Sequence, residues 1–347
     1  MTNPQKYDAH FSPIRGQRKD ESDLPRNPRI FVDFSRAMAH DRVLHNVNPP
    51  MLPPLHLHAL QTPVLFDGAM GTLLHERGLQ PGECPELWCA ERPDDLREIH
   101  RLYKEAGADV LETNSFGANR HKLAHYGLEN RLEELNRAAA RLARETAGED
   151  CHVLGSMGPT GAFLEPYGDE LPEAFTDTFS RQARALWEGG ADAVIVETMT
   201  VLEECCLAVR AAREAAPGLT VVASFTFDPQ PGGGYASMMG VRPGDFAAAA
   251  LEAGAHIVAS NCGLGPDHML NVIPLLRAAL PPEVPVLAMP NAGMPVIRGG
   301  QTVFTETPAD MAAKIPLLLA AGARCVGGCC GTTPAHIRAF AQTMEKS

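Results

Sequence analysis

From residue 63 onward the chain alternates between short apolar runs rich in β-branched residues and longer segments whose apolar residues recur at three- and four-residue spacing. Eight runs stand out: Val64-Leu65-Phe66, Asp109-Val110-Leu111, His152-Val153-Leu154, Ala193 to Val196, Val221 to Phe225, His256 to Ala259, Pro285 to Ala288 and Cys325-Val326. A run that closes in a polar or Gly-rich turn reads as a buried strand, and the helical spacing that follows reads as a crossover helix. Asp94 to Ala106, Leu132 to Ala147 and Phe175 to Glu188 are the clearest helices, with Gly107, Gly148 and Gly189 placed to cap them. Successive runs lie about 28 to 44 residues apart, the length of a strand plus one crossover. The phrase Glu105-Ala106-Gly107-Ala108-Asp109 returns in variant form at Glu188 to Asp192, Glu252 to His256 and Ala320 to Arg324, each time leading into a run. Such Gly-Ala turns suit the short αβ loops at the bottom of a barrel. The pattern predicts an α/β fold, a (β/α)8 TIM barrel over residues 63–347.

An open doubly wound sheet is the competing architecture, and it usually carries a Gly-rich phosphate turn after its first strand. Asp67-Gly68-Ala69-Met70-Gly71 is not G-x-G-x-x-G, and no G-x-x-x-x-G-K-[ST] occurs. Residues 1–62 differ from the body. Pro4, Pro13, Pro25, Pro28 and the pairs Pro49-Pro50 and Pro53-Pro54 interrupt a polar stretch without apolar periodicity, which reads as a disordered or loosely attached extension. Met38 and Met51 stand just before the organised region, so a start codon placed too far upstream is an alternative account of it.

Composition narrows the function classes. The chain has 347 residues, 45% hydrophobic and 21% charged, ordinary for a globular protein. Acidic residues outnumber basic ones 42 to 30, a net charge of −12, which is the wrong sign for a general binder of nucleic acid or anionic membranes. No stretch approaches the roughly 20 apolar residues of a spanning helix, and the polar N-terminus has no signal-peptide core. A cytoplasmic protein is expected. Nine cysteines, including the adjacent pairs Cys205-Cys206 and Cys329-Cys330, argue for reduced thiols rather than disulfides.

In a barrel the chemistry belongs at the C-terminal ends of the strands. Those ends carry Asp67-Gly68, Glu112-Thr113-Asn114, Gly155 to Thr160, Glu197-Thr198, Ser260-Asn261-Cys262-Gly263, Pro290-Asn291-Ala292-Gly293 and Gly327-Gly328-Cys329-Cys330-Gly331. Three thiolates, from Cys262, Cys329 and Cys330, are a soft ligand set that suits Zn2+ and leaves a fourth position open. The neighbouring glycines give the backbone freedom to turn two adjacent sulfurs inward. A lone cysteine at a strand end is more often a small buried hydrophobe, and Cys84, Cys89, Cys151, Cys205, Cys206 and Cys325 are read that way, with Cys84 and Cys89 also considered as a surface pair. His56 and His58 form an H-x-H that reads as a solvated loop before it reads as a metal site. Asp67 and Glu197 fit either a buried rim pair or a site for a substrate ammonium group. The backbone at Gly68, Ala69 and Met70 leads toward a helix N-terminus and suits a carboxylate. Acids for an ammonium, backbone donors for a carboxylate and thiolates with zinc together describe an amino acid with a terminal thiol.

These segments resemble the zinc-dependent homocysteine S-methyltransferases over about residues 63 to 345. The motifs that carry the resemblance are Phe66 to Thr72, Glu112-Thr113-Asn114-Ser115-Phe116, Gly158-Pro159-Thr160, Glu197-Thr198, Asn261 to Pro266, Pro290 to Gly293 and, most specific, Gly327-Gly328-Cys329-Cys330-Gly331. The resemblance implies zinc held by Cys262, Cys329 and Cys330, with homocysteine bound at the metal through its sulfur. It also implies Asp67 and Glu197 near the ammonium, Gly68, Ala69 and Met70 near the carboxylate, and less defined roles for Asn114 and Asn291. Zinc would strip the thiol of its proton at neutral pH and leave the sulfur able to attack a donor methyl group, giving methionine.

The donor is the open point, because members using methylcobalamin, betaine and S-methylmethionine share the zinc half. Gly263 to Asp267 and Pro290 to Pro295 look most like the N-terminal homocysteine-binding module of cobalamin-dependent methionine synthases. The sequence departs from those enzymes in having no folate barrel, no reductase and no D-x-H-x-x-G segment. The expectation is therefore a donor of methylcobalamin on a separate cobalamin- or folate-binding protein. Its rivals are a stand-alone enzyme using S-methylmethionine or betaine, a non-catalytic zinc and homocysteine-binding subunit, and, last, a barrel with a phosphate site at Gly327-Gly328.

Overall fold

The computed structural model describes residues 52–298 and 301–345. Eight parallel strands make one sheet: β1 (Val64–Leu65), β2 (Val110–Glu112), β3 (His152–Met157), β4 (Ala193–Met199), β5 (Thr220–Phe225), β6 (Ile257–Cys262), β7 (Val286–Pro290) and β8 (Cys325–Val326). The order is β1-β8-β7-β6-β5-β4-β3-β2. The ring closes between β1 and β2 through a parallel bridge of Phe66 with Val110, with Asp109 N donating to Leu65 O (2.8 Å) and Asp67 N to Val110 O (3.1 Å). All eight apolar runs of the sequence are strands of this barrel, and helices such as Pro93–Glu105, Leu132–Ala147, Pro172–Glu188 and Leu202–Ala215 lie between them.

Alternation along each strand divides the side chains into two sets. Val64, Phe66, Val110, Leu154, Ala193, Ile195, Val222, Ile257, Ala259, Leu287, Met289 and Cys325 form one fully packed cluster, the barrel interior. Leu65, Leu111, Val153, Val194, Val221, Val258 and Val326 point the other way and pack under the helices. The interior is thus a filled aliphatic column.

Residues 1–51 lie outside the described residues, and most of the expected extension with them. Residues 55–61, read in the sequence as part of that extension, form helix α1 (Leu55–Gln61). Leu55 and Ala59, one turn apart, are fully buried in the interior cluster. Leu57, on the opposite face, is exposed. The hydrogen-bond and ring partners of α1, namely Thr220, His256, His152 and Arg324, stand at or just before strand starts, which places α1 at the bottom of the barrel. Arg324, just before β8, donates to the carbonyls of Ala59 and Leu60. The H-x-H pair belongs to this plug and not to a solvated loop. His56 Nδ1 is 2.9 Å from Thr220 Oγ1, and its ring stacks on His256 at 4.5 Å between centroids. His58 Nδ1 lies 3.1 Å from His152 Nε2.

Two antiparallel hairpins absent from the sequence reading, Asp228–Pro229 with Tyr235–Ala236 and Pro295–Arg298 with Gln301–Phe304, rise from the loops after β5 and β7. Among the described residues no helix is long and apolar enough to cross a membrane.

Candidate metal centre and substrate pocket

One residue above the aliphatic column, the inward positions turn polar. Glu112 follows Val110 by two, Ser156 follows Leu154, Glu197 follows Ile195, Ser224 follows Val222 and Asn261 follows Ala259. The period of two therefore aims five polar side chains into the same mouth. Asp67, next to the inward Phe66, joins them: its Oδ2 accepts from Glu112 N (2.9 Å), while its Oδ1 is buried and makes no hydrogen bond among the described residues.

Glu197 accepts from Ser156 Oγ and, at 3.1 Å, from Asn261 Nδ2. Its carboxyl is also hydrogen-bonded to that of Glu112. Burial, then the charge of Glu197, pushes Glu112 well above the usual carboxylate range. Burial pushes Asp67 up in the same way, with Glu197 adding to it and the Glu112 N–H opposing it. Glu197 is raised by burial against the opposing bonds from Glu112 and Ser156. Three acids this close disfavour full ionisation unless a cation lies between them. Asp67 Oδ1, without a partner among the described residues, is free to accept from a ligand.

The sulfurs of Cys262, Cys329 and Cys330 lie within 4.8 Å of one another, with Cys329 Sγ and Cys330 Sγ 4.0 Å apart. A tetrahedral zinc with Zn–S bonds near 2.3 Å needs sulfurs about 3.8 Å apart, so the three residues fit that ion with little adjustment. Cys330 is exposed and the other two partly so, which leaves the fourth side open. Hydrogen bonds from Cys329 and then Cys330 pull the Cys262 thiol well below the usual thiol range, and Cys329 is pushed up in turn by the same contacts. Among the described residues no other group of three such side chains could hold a metal ion.

Backbone strain builds this cluster. Cys262 has φ +64°, and so the two adjacent residues Asn261 and Cys262 serve one mouth instead of opposite faces. Thr198, after Glu197, has φ +57°. These are the two non-glycine residues with positive φ among the described residues, and each follows an inward polar residue at a strand end. The Cys329-Cys330 turn is pinned from three sides: Gly328 N donates to Asp67 O (3.0 Å), Cys329 N to Pro290 O (2.9 Å) and Ala292 N to Cys330 O (2.9 Å). Of its glycines only Gly331 uses a left-handed conformation (φ +81°), while Gly327 and Gly328 allow close approach of Phe66 and Thr332.

The remaining sequence candidates take different places. Asn291 is buried, donating to Gly263 O (2.6 Å) and to the Cys262 sulfur, with its Oδ1 unpartnered among the described residues. Asn114 turns away from the mouth and donates to Pro85 O (2.8 Å). Of the backbone at Gly68, Ala69 and Met70, the Ala69 N–H donates to Thr332 Oγ1 (3.1 Å). Cys84 and Cys89 are buried, not a surface pair, and burial lifts the Cys84 thiol to about 12. Glu112, Ser156 and Asn261 carry much of the pocket and were not singled out as site residues from the sequence; their inward parity was the available signal.

Comparison with known proteins agrees with this geometry. A family model described as homocysteine S-methyltransferase matches residues 64–344. Over 303 residues the chain is 35% identical to a methionine synthase of Mycobacterium tuberculosis, and over 305 residues 34% identical to that of Mycobacterium leprae, covering 82% of this chain in each case. It spans only about a quarter of the length of those relatives, 25% and 24%. The crystal structure of the homocysteine methyltransferase MmuM from Escherichia coli, in its metallated form, superposes with a TM-score of 0.68 at 28% identity, over 83% of this chain and 99% of that one.

Proposed function

The chain belongs to the homocysteine S-methyltransferase family, and from that premise we propose that it moves a methyl group from methylcobalamin, carried by a separate protein, to the sulfur of homocysteine, giving methionine. The observation that carries this reading is the juxtaposition in one barrel mouth of three cysteine sulfurs within 4.8 Å and a buried pocket of three acids. Cytoplasmic location goes with the same proposal.

Cys262, Cys329 and Cys330 would hold zinc, which when bound supplies a Lewis acid that keeps a thiol deprotonated near neutral pH. Asp67, Glu112 and Glu197 take the substrate ammonium, whose charge offsets the burial that raises all three carboxyls. Gly68 and Met70 remain the proposed carboxylate contacts, while the Ala69 N–H, bonded to Thr332 Oγ1, ties that backbone to the segment after Cys330; Asn291 orients the Cys262 sulfur. Asn114 serves the pocket only indirectly, by holding the segment at Pro85. The aliphatic column beneath excludes water from below. The substrate sulfur then displaces the donor in line at the methyl carbon: the carbon–sulfur bond forms and the donor–methyl bond breaks, its electron pair leaving with the donor.

A donor on another macromolecule is supported by the rim. Tyr167, Met238 and Ile297 are 83%, 78% and 73% exposed, on loops after β3, β5 and β7 that border the mouth. Large exposed apolar side chains on three loops at the strand C-terminal end are available to a docking partner. A second reading, a small free donor such as S-methylmethionine or betaine, is favoured by the likeness to MmuM, which this chain covers almost end to end. Incubating the zinc-loaded protein with homocysteine and each donor in parallel, and quantifying methionine, separates the two. Methionine from methylcobalamin supports the first reading, and methionine from S-methylmethionine alone replaces it with the second. Zinc and homocysteine binding with no turnover from any donor makes the chain a binding subunit.

A further inference from the structure

Asn261 is buried at the end of β6, and every polar atom of its amide is engaged. Oδ1 accepts from Thr198 N (2.9 Å) and Ser224 Oγ (2.7 Å). Nδ2 faces Glu197 Oε2 (3.1 Å), Thr198 Oγ1 (2.8 Å) and Cys329 Sγ (3.8 Å). A backbone N–H can only donate, so the bond from Thr198 N fixes which way the amide points. The NH2 group is thereby committed to a carboxylate on one side and a sulfur on the other.

Thr198 deepens the argument. A β-branched residue at φ +57° is strained, and such a conformation persists only where surrounding contacts over-determine it. Asn261 contacts Thr198 through both its N–H and its Oγ1, and the Thr198 backbone sets the direction of the adjacent Glu197. Asn261 therefore acts on Glu197 twice, by a direct hydrogen bond and through Thr198. With its contact to Cys329 it spans the two halves of the site, the acids and the sulfurs.

We propose that Asn261 is a positioning residue that fixes the separation between the ammonium-binding acids and the cysteine sulfurs, and so selects a thiol amino acid of homocysteine's length over cysteine, which is one methylene shorter. This rests on the function proposed above. A single methylene is worth on the order of 10- to 200-fold in a fitted pocket. That discrimination requires the two ends of the pocket to be held at a fixed spacing, and one buried amide touching both ends supplies the link.

The test measures binding of L-homocysteine and L-cysteine to zinc-loaded wild type, Asn261→Ala and Asn261→Asp by calorimetry, with zinc content and circular dichroism as controls. Asn261→Asp keeps the acceptor for Thr198 and Ser224 while removing the donors, so it carries the test if the alanine variant folds poorly. The expected result is a loss of homocysteine affinity of about ten-fold or more, with the preference over cysteine falling to within about three-fold. The effects of Asn261→Asp and Glu197→Gln should be non-additive in a double-mutant cycle. In cobalt-substituted protein the thiolate-to-metal absorption should shift with the lost contact to Cys329, a change that a merely structural role would not produce. An unchanged homocysteine-to-cysteine preference in both variants would overturn the proposal. Wild type that binds zinc but neither thiol would overturn the functional reading itself, and is seen before any variant is made.

Discussion

Phe304 occupies the space that a side chain on Gly331 would need: its Cγ lies 2.1 Å from where a Cβ would stand. The hairpin that ends at Phe304 is thus packed directly on the turn carrying Cys329 and Cys330. Gly331 also has φ +81°, a conformation costing a non-glycine residue about 1–2 kcal/mol. Gly331→Ala should lose that amount plus about 1–3 kcal/mol of overpacking, together with part of its bound zinc. Combining it with Phe304→Ala should recover zinc content, measured by metal analysis after dialysis, more than thermal stability.

The cysteines should separate sharply by role. Cys330→Ala is expected to lower zinc affinity by at least about a thousand-fold, since it removes one of three thiolates, and to abolish methyl transfer. Cys205→Ala, in the helical layer, should keep its full zinc content and lose about 1–2 kcal/mol of stability from the small cavity left behind. Equal zinc content in Cys330→Ala and wild type, after competition with a chelator, would remove Cys330 from the ligand set.

Glu112→Gln should make the empty protein more stable and a poorer binder. Taking one acid from the pocket removes a carboxyl whose charge burial, and then the charge of Glu197, disfavour, a gain of about 1 kcal/mol, while homocysteine affinity falls about ten-fold. A melting curve and a calorimetric titration decide it, and both must move in the stated directions.

The plug at the barrel bottom should weaken in acid. Burial holds His152 down to about 4, with His58 and Arg144 acting with it and Asp192 against it. Burial followed by Arg213 and His56 holds His256 at about 4. His256 Nδ1 accepts from Val221 N, which places the neutral ring's proton on Nε2, and a second proton on Nδ1 would break that bond. A base whose folded pKa is depressed contributes no pH dependence above its unfolded value. Stability is then lost as pH falls from about 6.5 toward about 4, by up to about 1.4 kcal/mol per unit for each histidine. Hydrogen exchange over residues 55–61 should rise across that window. His152→Gln should flatten its share of the trend, read as the difference from wild type, because the raised acids of the mouth titrate with the opposite sign.

The barrel was legible because eight apolar runs at crossover spacing leave few other topologies. The cysteines were legible as a set because a Gly-Gly-Cys-Cys-Gly turn has little use as packing. Glu112 and Asn261 were less so: both were noticed at strand ends, but which of two neighbours points inward depends on register, and at Cys262 and Thr198 positive φ breaks the alternation. Helix α1 is not legible because seven residues between prolines have almost no intrinsic helicity, and its two buried positions, Leu55 and Ala59, make no periodic signal. Its formation depends on the barrel interior that Leu55 and Ala59 enter. The resemblance implies a site role for Asn114, yet its amide serves a neighbouring loop, a choice only packing decides.

Because α1 and the aliphatic column seal the barrel from below, the polar mouth has one entrance. Homocysteine placed on the acids and sulfurs as proposed would lie deeper than any donor that reaches the rim, and a docked donor would stand in its path. Turnover should therefore be sequential with compulsory order, the amino acid entering first and methionine leaving only after the spent donor has moved away, a sequence that product-inhibition patterns would register.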